Sequence, residues 1–166
     1  MQQQQFGLEA LPNLPSAAHV EALAAGDPWV WNGEPQGERS AELLATLRQS
    51  GGVVTPDQLA GLLRPHHAQP VSAIARWLRQ RTILSVGWRG QTFIPLCQFH
   101  PCTMQPREEF VGVLRELADA FDDWELVSWL AEPNDWLDGR APASCLSSDF
   151  ERVLHAARAD RFIAKG

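Results

Sequence analysis

The sequence predicts a mainly α protein with one small β-hairpin, and three observations carry that expectation. Apolar residues recur at spacings of three and four through most of residues 38–162, the period of an amphipathic helix. Two β-rich runs, 83–88 and 91–96, flank Arg89-Gly90, which marks a tight hairpin turn; arginine in place of Asn or Asp leaves the turn type open. Two capping boxes, Thr55 with Gln58 and Ser148 with Glu151, announce helix starts.

Taken in order, residues 1–37 are rich in Gln, Pro, Ala and Gly and read as a flexible lead-in. Its Trp29 and Trp31 are expected either to pack as a flap on the following helices or to hook a partner. In 38–49, Leu43, Leu44 and Leu47 form one apolar face, and Gly51-Gly52 stops the helix. The second helix starts at the Thr55 cap with Pro56 in its first position, where a missing N–H costs nothing, and buries Leu59, Leu62 and Leu63. Pro65-His66-His67 breaks it. The third helix follows Gln69, has Pro70 in its first position and runs to about Arg81, with Val71, Ile74, Ala75 and Leu78 as its apolar stripe.

After the hairpin, Pro106 is expected to open a fourth helix, with Glu108 and Glu109 leading and Phe110, Val113, Leu114, Leu117 and Phe121 on one face. Asp122-Asp123 reads as a break. A fifth helix carries Trp124, Leu126, Val127, Trp129 and Leu130 and ends at Pro133. A one-turn segment, 135–138, closes at Gly139, and a linker containing Pro142 leads to the last helix. That helix is expected to start at the Ser148 cap and to bury Phe150, Val153, Leu154, Ala157 and Phe162.

At 45% hydrophobic, a chain of 166 residues can bury a core, as one domain or two small ones. The N-terminal run MQQQQFGLEALPNLP has no basic leader and no apolar stretch of signal length, and no window approaches the roughly 20 apolar residues of a membrane span. The expectation is a cytoplasmic protein with no membrane segment. Cys97, Cys102 and Cys145 cannot all pair within one chain and read as free thiols of a reducing compartment.

The formal charge of −6 hides an asymmetry. Between 48 and 98 lie Arg48, Arg64, Arg76, Arg79, Arg81 and Arg89 against Asp57 alone, whereas both flanks are acidic. An anionic partner would therefore meet the middle of the chain. On the third helix, Ser72, Ala73, Arg76, Arg79 and Gln80 fall toward the face opposite the apolar stripe, with Gln69 before them and Arg81 after. Small residues permit close approach to a groove, and Arg and Gln can read base edges or grip phosphates. Three short helices and a hairpin make residues 38–98 a winged helix-turn-helix-like unit expected to bind double-stranded DNA, with Arg89 at the wing tip. The alternative is a protein–protein interaction module without DNA binding, whose arginines meet an acidic partner or a dimer mate.

Catalytic chemistry finds little footing. Cys97, His100 and Cys102, with His66 and His67 within conceivable reach, match none of the regular zinc-ligand spacings, so no metal site is assigned. A Cys145 and His155 pair lacks any accompanying oxyanion donor or cleft signal. Asp119, Asp122, Asp123 and Glu125 read as a solvated helix end. There is no Gly-rich phosphate loop, and neither a cofactor nor an enzymatic activity is expected.

Residues 106–166 read as a helical docking domain. Asn134, Leu137, Gly139, Pro142, Cys145-Leu146, Ser148-Asp149, Val153-Leu154 and Gly166 form an ordered series. In it this stretch resembles the Xre/MbcA/ParS toxin-binding domain of bacterial antitoxins. The resemblance implies a module that docks on a RES-type toxin, a class that consumes NAD, with the C-terminal helix reaching toward the toxin's cleft. It implies polar contacts from Arg140, Arg158, Arg161 and Lys165, a turn packed by Trp136 and Leu137, and a homodimer. The family's usual N-terminal unit has five helices, whereas here three helices precede a hairpin.

Overall fold

The computed structural model describes residues 37–166; the expected lead-in with Trp29 and Trp31 lies outside them. These residues form a mainly helical fold with a small three-stranded antiparallel sheet. The elements are α1 (Gly37–Gln49), β1 (Val53–Val54), α2 (Pro56–Leu63), α3 (Pro70–Arg79), β2 (Val86–Trp88) and β3 (Gln91–Pro95), then α4 (Glu108–Leu117), α5 (Asp123–Ala131), α6 (Pro142–Cys145) and α7 (Phe150–Lys165). Single 3₁₀ turns occupy Leu96–Gln98 and Asp135–Leu137.

The local signals act where they were read. Thr55 caps α2 reciprocally with Gln58, and Pro56 stands in its first turn. Gly51 and Gly52, at φ of 120° and 109°, turn the chain where an L side chain would be strained. That turn delivers the two-residue β1 to β3, with Val53 opposite Pro95 and Val54 opposite Ile94. Two residues are too few for a period, so β1 has no sequence signature. The hairpin turns on Arg89 (φ 49°) and Gly90 (φ 73°), both left-handed, as a type I′ turn requires, and Trp88 pairs with Gln91 across it. Leu96, expected on the strand, belongs instead to the 3₁₀ turn.

Several expectations are corrected. On α2, Leu62 is 44% exposed: Pro56, Leu59, Ala60 and Leu63 define the buried arc, and Leu62 lies off it. On α3, Ala73 and Trp77 are buried, so the apolar face is wider than the predicted stripe and takes Ala73 from the exposed side. The helix ends at Arg79, because Arg81 reverses to φ 51°. Pro106 does not open α4; it forms a bridge with Phe99, and Arg107 is the cap residue. Asp122-Asp123 is more than a break: Asp122 and Glu125 form a full capping box that starts α5. The Ser148 box is absent. One turn of helix at α6 continues into a turn in which the Ser148 and Asp149 amides both donate to the Cys145 carbonyl, so α7 starts at Phe150 behind Asp149.

Two apolar clusters fill the interior. The smaller joins α2 and α3 through Leu59, Leu63, Ile74 and Trp77 to Ile83, Ile94 and Phe99. The larger gathers Leu43, Leu44 and Leu47 of α1 and Val86 and Phe93 of the hairpin with Phe110, Leu117, Leu126, Leu130, Leu137 and Val153 from the C-terminal helices. Gln98, fully buried, lies at the junction. Its side chain accepts from the Leu84 amide (2.7 Å) and donates to the Leu84 (2.9 Å) and Pro95 (2.8 Å) carbonyls, so the amide group costs little where it sits.

Candidate nucleic-acid and partner surfaces

The basic surface is built on α3. Its apolar arc, from Ala73 through Trp77 to Ile74 and Ala75, anchors the helix. Gln69, Ser72, Arg76, Arg79 and Gln80 are all exposed, and helical geometry gathers them within an arc of about 100°. Gln69 sits at the N-cap without a side-chain cap bond. Neither the Arg76 nor the Arg79 guanidinium has a carboxylate partner among the described residues. Arg81 differs from the rest of the predicted set. It is half-buried and donates to Asp123 at 2.8 Å, fastening the end of α3 to the start of α5. Burial raises the Asp123 pKa above its ordinary value and the neighbouring Asp122 adds to this, while Arg81 opposes both. Arg89 stands at the exposed hairpin tip with its guanidinium 4.6 Å from the Trp88 ring centre, a cation–π contact that stiffens the tip.

Beside α3 lies an open cleft of about 580 Å³, lined by Arg76, Trp77, Gln80 and Thr82 on one side and Pro106, Glu108, Val111 and Arg115 on the other.

The C-terminal surface is organised by a residue that the sequence reading passed over. The Asp160 carboxylate on α7 accepts three hydrogen bonds, from Trp129 Nε1 (2.7 Å), Asn134 Nδ2 (2.7 Å) and Trp136 Nε1 (2.9 Å). It thereby ties α7 to α5 and to the Asp135–Leu137 turn. Asn134 also caps that turn, accepting from the Trp136 amide at 3.0 Å, and Asp138 ends it in a left-handed conformation. The signal was available: Val153, Ala156 and Asp160 share one buried face at spacings of three and four, and an aspartate on such a face must find donors.

Of the residues that the family resemblance assigned to a partner, Leu137 is fully buried and packs the turn. Trp136 is 46% exposed, with its ring edge toward His155. The cations are engaged within the chain. Arg140 donates to the Leu137 carbonyl and lies 3.5 Å from Asp149, Arg158 and Arg161 both hold Glu116, at 3.1 and 2.8 Å, and Lys165 reaches Asp119 at 3.4 Å. The hydrogen bond from Arg158, with the further help of Arg161, holds the Glu116 carboxyl below its ordinary pKa. Such exposed pairs are worth about 0–1 kcal/mol each and exchange readily for other carboxylates. Phe162, expected in the core, is 77% exposed, and Ile163 is 67% exposed. Phe162 falls about 180° around α7 from Val153, on the side opposite the buried residues Val153, Ala156 and Ala157.

Among the described residues no three His, Cys, Asp or Glu side chains come together in a metal-binding group. Cys97 is half-buried, and desolvation pushes its thiol up to about 12, which keeps it protonated and a poor nucleophile. No helix among the described residues is long and apolar enough to cross a membrane. Comparison with models of known families, with curated proteins and with solved structures finds no match for this chain.

Proposed function

We propose that the chain is an antitoxin-like regulator that binds double-stranded DNA through a winged helix-turn-helix and a RES-type protein partner through its C-terminal helices. The observation that supports the DNA half is an element order of helix, strand, helix, helix and hairpin with sheet order β1-β3-β2, an order compatible with a winged helix. In that arrangement α3 is the recognition helix, and its solvent face holds Ser72, Arg76, Arg79 and Gln80, the side chains that would meet base edges and phosphates. Arg89, at the exposed tip of the hairpin, would serve as the wing.

Support for the docking half is the exposed apolar tip. Ile163 lies one turn beyond Asp160, and Phe162 two turns beyond His155, the residue that meets Trp136. Phe162 and Ile163 therefore lie on the flank of α7 that meets Trp136, with Arg158, Arg161 and Lys165 along its Phe162 edge. An aromatic-apolar centre with a basic rim is how a protein-binding patch is built. The antitoxin resemblance supplies the partner class.

Two variants separate the halves. Arg76→Ala with Arg79→Ala should abolish an electrophoretic shift of duplex DNA and leave capture of a RES-type protein encoded beside this chain unchanged. Phe162→Ser with Ile163→Ser should do the reverse. Equal loss of both bindings in either variant contradicts the division.

A second reading, a protein-interaction module without DNA binding, is favoured by the net acidic charge and by the use of Arg81 inside the fold. Absence of any shift at low salt would select it.

A further inference from the structure

The cleft beside α3 is shared by two helices far apart in sequence. From α3 and its C-cap come Arg76 and Gln80, four residues apart; from α4 come Glu108, Val111 and Arg115, spaced three and four and so on one face. Arg115 is exposed. It stands in a region where acids outnumber bases, and every other cation there is engaged. Arg107 donates to the Phe99 carbonyl and to Ser147, and Arg140, Arg152, Arg158, Arg161 and Lys165 each lie within 4.0 Å of a carboxylate. Among the described residues from 106 onward, Arg115 is the one cation with no such contact.

Arg76 and Arg115, neither with a carboxylate partner among the described residues, line one cleft, and an anion between them would be attracted by both charges. The lining is mostly polar, with Gln80 and Thr82 as further donors, and the cleft is open to solvent. Small-molecule sites are enclosed and mostly apolar, so the cleft suits a passing phosphate backbone better than a free ligand. Glu108 on the same rim is the one opposing charge.

We propose that the DNA-contacting surface crosses from α3 onto α4, where Arg115 takes a backbone phosphate adjacent to the one held by Arg76. This rests on the DNA reading above. It makes the C-terminal helices part of the nucleic-acid interface, so that a partner seated on them would sense bound DNA directly. The contact would be one of positioning, without base specificity.

The test is the salt dependence of duplex binding, measured by fluorescence anisotropy on the full chain. Each phosphate contact contributes about 0.9 to the slope of log K against log salt. Arg115→Gln should lower that slope by about one, as should Arg76→Gln, and Arg115→Lys should restore it. Thermal melting of each variant shows that the exposed substitution leaves the fold intact. A reduced slope in Arg76→Gln with an unchanged slope in Arg115→Gln overturns this proposal and leaves the DNA reading standing. Failure of the unaltered chain to bind duplex at low salt overturns both.

Discussion

At the residue scale, Asp160 matters most for the C-terminal surface. One carboxylate satisfies two indole N–H groups and an amide, and hydrogen bonds to a charged acceptor contribute about 1.5–3 kcal/mol each way they are counted. Asp160→Ala is therefore expected to destabilise the chain by about 2–3 kcal/mol in urea unfolding, whereas Asp119→Ala, at an exposed pair, should cost no more than about 0.5 kcal/mol. Equal effects from the two would contradict the clamp. Glu116 gives the pH dependence its sign. Its folded pKa is lowered by Arg158 and Arg161, so the stability it contributes is present above the ordinary glutamate pKa and is lost as pH falls through the folded value. Glu116→Gln should flatten the acid limb of a stability–pH curve. Little of this was legible beforehand, because an aspartate or arginine in a sequence does not say which distant donor or acceptor the fold brings to it. Phe162 failed for a different reason: it falls about 180° around α7 from Val153, on the side opposite the buried face of Val153, Ala156 and Ala157.

At the scale of elements, the capping signals were read well where the chain upstream is free to extend and badly where it is already turning. Thr55 follows an extended β1 and caps α2 as its sequence implies. Ser148 carries the same signature yet sits inside the turn that leaves α6, its amide committed to the Cys145 carbonyl. Asp122 with Glu125 is an equally plain box, overlooked in favour of a solvated acidic cluster. Asp122→Ala should cost about 1 kcal/mol and Ser148→Ala less than about 0.5 kcal/mol, both by chemical denaturation. The hairpin offers the converse case. Arg89 holds a left-handed conformation that suits Asn better, so Arg89→Asn should raise stability by about 0.5–1 kcal/mol while weakening DNA binding. Loss of stability in that variant would mean that the contact with Trp88 outweighs the backbone strain.

At the scale of the whole molecule, the helical period, the hairpin and the basic island were legible because each is a local pattern. The sharing of the interior was not. Helix α1 adjoins β1 and α2 in sequence, but Leu43, Leu44 and Leu47 fill the core of the C-terminal helices, and Arg39 reinforces this by pairing with Glu132 at 3.2 Å. A further tie joins the halves between Arg81 and Asp123. A fragment ending at residue 104 should therefore leave the amides of α1 unprotected from hydrogen exchange while those of α2 and α3 retain protection. The central claim is that a chain of net charge −6 grips DNA through one basic face, and binding of a labelled duplex at 50 and 200 mM salt tests it most directly. With Arg76, Arg79, Arg89 and Arg115 on phosphates, affinity should fall by about a hundredfold between the two. Affinity that does not change with salt, or no binding at 50 mM, would contradict it.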